Sequence, residues 1–199
     1  MAEVKPVPIA NPAPLGLSGF ALTTFVLSLV NTGILVEKNT AIVIGLAVFY
    51  GGIAQFAAGM WEFRTGNTFG ATAFTSYGAF WLSFAALLIP GFGVVLDTGS
   101  ANSAVGVYLL GWAIFTGILM LGSFRVNGAT AAVFVLLFLT FLLLAIGRLT
   151  SSGPTASGWT VLGGWVGVVT AIAAWYTALA GVLSYVNGGR TVLPVIPLA

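Results

Sequence analysis

The hydrophobic positions along the chain fall into six long stretches, separated by short polar connectors. They run over Leu15–Val36, Thr40–Trp61, Phe69–Pro90, Ala101–Gly122, Gly128–Gly147 and Thr160–Asn187. Each is long enough to cross a bilayer as a helix, which takes roughly 20 apolar residues at about 1.5 Å of rise each, with every backbone polar group paired inside the helix. The pattern predicts an all-α integral membrane protein. Residues 1–14 form an N-terminal tail, 15–187 a six-helix transmembrane domain and 188–199 a C-terminal tail. The connectors, Glu37-Lys38-Asn39, Glu62 to Thr68, Gly91 to Ser100, Ser123 to Asn127 and Arg148 to Trp159, are too short to hold a folded domain. Function is therefore expected inside the membrane.

Polar side chains within the spans recur at the helical period, which lines them along single faces. In the first span Phe20, Thr24, Ser28 and Asn31 follow at +4, +4 and +3. In the third, Thr72, Ser76, Phe80 and Ser83 do the same, with Tyr77 beside them. The last span carries Gly163, Gly167, Thr170, Ala174, Thr177, Gly181 and Ser184 without one large residue among them. The second places Gly45, Gly52 and Gly59 on one line, with Gln55 between the last two. Two accounts of these stripes stand open: small residues let membrane helices pack closely, or the hydroxyls and amides of spans one, three and six enclose a path for a small polar solute. Ala132 to Ile146 is almost pure Leu, Phe and Val, so most of the fifth span is expected to face lipid or a neighbouring subunit. Phe20 and Tyr77 lie on or beside polar stripes, where a ring narrows a passage and gates it by excluding water. Trp61, Trp159 and Tyr185 read as anchors at the membrane surface.

Composition narrows the function classes. Of 199 residues 59% are hydrophobic and 5% charged, against about 25% charged in soluble domains, which excludes a water-soluble globule and a nucleic-acid binder. Without cysteine or histidine there is no disulfide, thiolate chemistry, haem ligation or imidazole base, and no cofactor or metal site is expected. No nucleophile–base constellation points to an enzyme. Within these boundaries no charged residue falls well inside a span, Glu62 and Arg148 only flanking helix ends. Any coupled proton is then expected to travel on the substrate or along water. Lys5, Arg64, Arg125 and Arg190 lie on one side against Lys38 and Arg148 on the other, which places both termini in the cytoplasm.

Phe63-Arg64 leading to Gly70-Ala71-Thr72-Ala73 is echoed by Phe124-Arg125 leading to Gly128-Ala129-Thr130-Ala131. This reads either as an internal duplication of two hairpins or as residues common at membrane-helix ends.

Asn11-Pro12-Ala13-Pro14-Leu15-Gly16-Leu17, followed by Phe20, resembles the signature of the acetate uptake transporter family, to which succinate-acetate permeases belong. Phe49-Tyr50-Gly51-Gly52-Ile53-Ala54-Gln55, Gly66-Asn67-Thr68-Phe69-Gly70, Phe74-Thr75-Ser76-Tyr77-Gly78, Leu144-Ala145-Ile146-Gly147 and Gly189 to Pro194 extend the similarity over essentially the whole chain. The resemblance implies a six-helix protomer in a hexamer, with one pore per protomer. Each pore would pass acetate, other small monocarboxylates and sometimes succinate across the cell membrane. It also implies a neck at Phe20, Tyr77 and Leu137, with Gln55 in the pore and the small side chain of Ala174 leaving room for substrate. Leu137 fits only if one face of the fifth span turns inward. The hydroxyls and amides of Thr24, Ser28, Asn31, Gln55, Thr72, Ser76 and Thr177 are the candidate donors to a carboxylate. Pro14 suits the first turn of a helix whose free N–H groups face an incoming anion, or simply starts that helix at the headgroups. A channel for a small neutral solute such as urea would use the same uncharged lining, and a poreless membrane protein would use the stripes as packing surfaces.

Overall fold

The computed structural model describes residues 9–36, 40–89, 100–151 and 157–198. Lys5 and the Glu37-Lys38-Asn39 connector lie outside the described residues, as does most of the stretch from Pro90 to Ser100. Among the described residues six helices are long and apolar enough to span a membrane: α1 (Ala13–Asn31), α2 (Ala41–Thr65), α3 (Thr68–Leu88), α4 (Ala101–Ser123), α5 (Gly128–Leu149) and α6 (Gly158–Val186).

Local chemistry sets their ends. The Asn11 side chain accepts the Ala13 N–H at 3.0 Å, and Pro14 sits in the first turn of α1. That helix stops at Asn31, short of the expected Val36, and the chain turns through Gly33 at φ 82°, a left-handed conformation natural to glycine. In contrast, α2 runs past the expected Trp61 to Thr65 and is closed by Gly66 at φ 80°. Glu62 thereby moves from a flanking connector into the last turn of a spanning helix. Asn67 caps α3 by accepting the Gly70 N–H at 3.0 Å, and Asn127 caps α5 by accepting the Thr130 N–H at 2.8 Å. The two echoed connectors thus share one capping chemistry.

Small residues bring the helices together. Along α6, Gly167 and Gly181 of the smooth stripe face Ser28 and Pro14, and Gly164 beside the stripe faces Thr32 and Asn31, so α1 packs along this side. On the neighbouring side Gly163 meets Leu144 of α5. These close approaches supply van der Waals contact, the main attraction between helices in lipid. The α6 stripe packs on α1 at Gly167 and Gly181 and on α5 at Gly163. Phe49–Ala54 of α2 is a π-helical stretch. There Gly51 lies against Thr23 and Trp81, Gly52 against Leu82, and the Tyr50 carbonyl against Gly19. The wider turn carries the α2 backbone onto both α1 and α3.

Large apolar side chains such as Ile114, Ile118, Leu121, Ile172 and Leu179 point outward, with Trp61, Trp159 and Tyr185 exposed near helix ends. After α6 the chain returns to the bundle. The N–H groups of Gly128 and Ala129 donate to the carbonyls of Ile196 (2.7 Å) and Val195 (3.0 Å), and the Tyr176 hydroxyl donates to the Pro194 carbonyl (2.7 Å).

Candidate functional site

A cavity of about 650 Å³ enters the bundle from the end where α1, α3 and α5 finish. It reaches from Gly33, Val36, Arg148 and Ser151 down to Phe20 and Leu137. Eleven residues separate Asn31 from Phe20 on α1 and Arg148 from Leu137 on α5, a depth of roughly 16 Å at helical rise. Periodicity explains its first wall: Phe20, Thr24, Ser28 and Asn31 all line it, as one face of α1 must.

The opposite wall departs from the expectation for α5. Leu137, Thr140, Phe141 and Leu144 line the cavity, so one full face of this apolar helix turns inward. An all-apolar helix gives no polar face by which its orientation can be read. Thr140 is the exception; its hydroxyl donates to the Leu136 carbonyl at 2.8 Å and lies 3.2 Å from Thr170 of α6.

Rings fill the floor. The Phe20 and Tyr77 rings are 5.9 Å apart, and Tyr77 also contacts Phe115 (5.7 Å) and Phe134 (6.2 Å). Phe80 packs edge-on against Trp112 (5.1 Å) and Phe141 (5.2 Å). Tyr77 is 3% exposed. Its hydroxyl and that of Thr116 are 3.0 Å apart, and the Tyr108 hydroxyl meets Ser83 at 2.7 Å. Side chains thus join α3 to α4, whose backbones hardly touch.

Among the described residues lining the cavity Arg148 is the one charged side chain, and its guanidinium donates to Asn102 Oδ1 at 3.2 Å. Ser157 and Thr160 join it at the mouth. The hydroxyl of Thr24 is buried without a hydrogen-bond partner. Thr24 stands one helical turn from Phe20 on the α1 face that lines the cavity.

The other residues singled out from the sequence lie elsewhere. Gln55 is buried beside Gly19, one residue from Phe20, and its Oε1 has no partner. Thr72 and Ser76 are half-buried on α3, toward its start from Tyr77 and away from the cavity. Ala174 and Thr177 are buried on α6 and do not line the cavity; the Thr177 hydroxyl is spent on the Ala173 carbonyl at 2.8 Å. Asn11 and Pro14 start α1, Pro12 precedes it, Leu15 is exposed, and Gly16 lies against the Phe74 ring. Thr116, Thr140 and Tyr108 were missed because a lone hydroxyl in an apolar helix makes no stripe. Arg148 was discounted as a flanking charge, although the side it takes on α5 carries it to the cavity mouth.

The model of the GPR1/FUN34/yaaH family matches residues 1–199. The glyoxylate pathway regulator of Yarrowia lipolytica is 47% identical over 191 residues, covering 94% of this chain and 68% of that protein. The succinate-acetate/proton symporter SatP of Escherichia coli is 43% identical over 188 residues, covering 94% of this chain and 95% of that one. The solved structure of the bacterial acetate channel SatP superposes with a TM-score of 0.86 at 41% identity, over 94% of this chain and 99% of its own. Full-length agreement in sequence and in the six-helix fold places this chain in the GPR1/FUN34/yaaH family.

Proposed function

We propose that the protein passes acetate and other small monocarboxylates, with succinate at the upper size limit, across the cell membrane. It does so as a hexamer with one path in each protomer and both termini in the cytoplasm. The observation that carries this reading is the cavity itself: one cation at its mouth, hydroxyls down its α1 wall, and a floor made by the Phe20 ring and the Leu137 side chain, with the Tyr77 ring packed behind Phe20. A protein named a succinate-acetate/proton symporter matches in sequence over 95% of its length, and a structure named as an acetate channel shares the fold over 99% of its chain.

The chemistry follows from the lining. Arg148 raises the local concentration of anions at the mouth. Thr24, Ser28 and Asn31 offer donors that replace water around a carboxylate as it descends. The ring floor accepts a methyl group and resists ions that keep their hydration shell. Beyond it, Gln55, Thr72 and Ser76 are the polar groups on the far side.

Uptake of labelled acetate into proteoliposomes tests the reading, with formate, propionate, succinate and urea as competitors. Acetate flux blocked by small carboxylates and not by urea is expected. Urea flux without acetate flux would overturn it.

A further inference from the structure

Three of the five buried side-chain polar atoms that lack a hydrogen-bond partner among the described residues lie along one seam between α2 and α3: Gln55 Oε1, Thr75 Oγ1 and Glu62 Oε1. Gln55, Gly59 and Glu62 follow at +4 and +3, which puts them on one face of α2. Thr75 of α3 sits against Gly59, midway between the other two, and Glu62 lies against Gly70 at the start of α3. At the other end Gln55 borders Gly19, the residue before the ring of Phe20. The seam thus leads from the last turn of α2 to the neck of the proposed path.

Glu62 is 2% exposed. Its Oε2 accepts from the Thr65 hydroxyl and from the Asn67 amide, each at 3.0 Å, while Oε1 accepts from nothing. Among the described residues no ion pair reaches it, and the groups that face it are the Thr65 and Asn67 donors and the start of α3. The helices packed on α2 are α1 and α3, and neither contains a Lys, Arg, Asp or Glu; their one titratable side chain is Tyr77. On α2 itself the charged neighbour is Arg64, which is exposed, and no ion pair joins it to Glu62 among the described residues. Oε1, with no donor on it among the described residues, is the carboxylate oxygen on which a proton can sit.

We propose that Glu62 is a proton-binding site that couples protons to substrate movement, at the end of a polar seam leading through Thr75 to Gln55 beside the neck. The proposal deepens the transport reading, on which it rests. It replaces the expectation that a coupled proton has only the substrate or water to ride on. Glu62 lies one turn from the end of α2, next to the exposed Phe63, Arg64 and Thr65. A carboxylic acid with a reference pKa near 4.3 is only about 0.2% protonated at pH 7. A fixed proton site would relieve dependence on that scarce neutral form.

The test uses the full chain and Glu62→Gln in proteoliposomes. Initial acetate uptake above protein-free vesicles is measured while the pH gradient and a potassium diffusion potential are varied independently. Acetate exchange at equal pH is followed alongside. In the native protein an inward proton gradient is expected to raise uptake at zero potential. In Glu62→Gln that response is lost while exchange persists, because glutamine still accepts from Thr65 and Asn67 but takes up no proton. A native-like gradient response in Glu62→Gln overturns the proposal and leaves Glu62 a clamp on the α2–α3 turn. If Glu62→Gln does not assemble, Glu62→Asp decides: a shifted pH dependence of uptake supports the site and an unshifted one overturns it. Absence of acetate uptake by the native protein would instead sink the transport reading.

Discussion

The hydroxyl of Tyr77 and that of Thr116 lie 3.0 Å apart and tie α3 to α4 at the level of the ring cluster. Thr116 also donates to the Trp112 carbonyl of its own helix at 2.7 Å, so Tyr77 is the donor that completes the pair. The bond fixes a ring that touches Phe20, Trp112, Phe115 and Phe134 at once.

Substitutions at Tyr77 therefore separate bond from ring. Tyr77→Phe keeps the ring and removes one interhelical hydrogen bond, a loss of about 0.6 kcal/mol by the average for membrane proteins. Acetate selectivity is expected to change little. Tyr77→Ala empties the space instead, at about 3–5 kcal/mol for a buried aromatic, and is expected to alter acetate flux strongly, as are Phe20→Ala and Leu137→Ala. Labelled-acetate uptake beside thermal unfolding in detergent checks both. Unchanged flux in all three alanine variants would remove the neck from these residues.

Thr24→Val is expected to weaken substrate affinity without weakening the fold. The hydroxyl has no partner among the described residues, so its loss breaks no hydrogen bond seen there. Valine fills nearly the same volume. A hydrogen bond to a charged group is worth about 1.5–3 kcal/mol, so half-saturation for acetate should rise roughly tenfold or more, while the melting temperature holds or rises. Concentration series of acetate uptake give the first number and detergent melts the second. An unchanged half-saturation would mean that the carboxylate does not pass this hydroxyl.

How far the chain could be read in advance divides along physical lines. Six spans were legible because hydrocarbon thickness sets a length that apolar runs must meet. The α1 wall was legible because a polar stripe in lipid has to face protein. The inward face of α5 was not, since Leu137, Phe141 and Leu144 look the same whether they meet a cavity or acyl chains. On α6 the spacing left packing and path open, because small residues serve either purpose, and its glycines at 167 and 181 pack on α1. Glu62 reads as a connector residue flanking a helix end because its burial depends on where α2 stops, and Gly66 ends that helix a full turn later than the apolar run does.

The α1–α6 seam is expected to tolerate no side chain at Gly164. An added Cβ would stand 2.7 Å from the Thr32 backbone nitrogen and 2.9 Å from the Asn31 carbonyl carbon, neither of which can move without displacing a helix. Overpacking of this kind costs typically 1–3 kcal/mol, and Gly164→Val should show it as a lower melting temperature and loss of a single size-exclusion peak. Gly45 is the matched control, with nothing within 4 Å of its added Cβ. Gly45→Ala should stabilise α2 by up to about 1 kcal/mol through helix propensity alone. Equal behaviour of the two variants would show that α1 and α6 do not approach as closely as described.

The returning C-terminal segment holds the start of α5 through its backbone, and side-chain changes there should matter less than deletion. Ile196 sits at φ 55°, where a β-branched residue is strained, and its carbonyl accepts from Gly128 at 2.7 Å. Ile196→Gly relieves that strain and preserves the carbonyl, so stability should hold or rise slightly, by less than about 1–2 kcal/mol. Deleting residues 190–199 removes the acceptors for Gly128, Ala129 and Tyr176 together. Each bond is worth about 1 kcal/mol net, and water at the helix end recovers part of it. Deletion should therefore lower the melting temperature by a few degrees and leave the six-helix bundle intact, whereas Tyr176→Phe should reproduce only a fraction of that fall. Hydrogen exchange at Gly128 and Ala129 reports the latch directly. Protection that survives the deletion would show that these amides are held by something other than Val195 and Ile196.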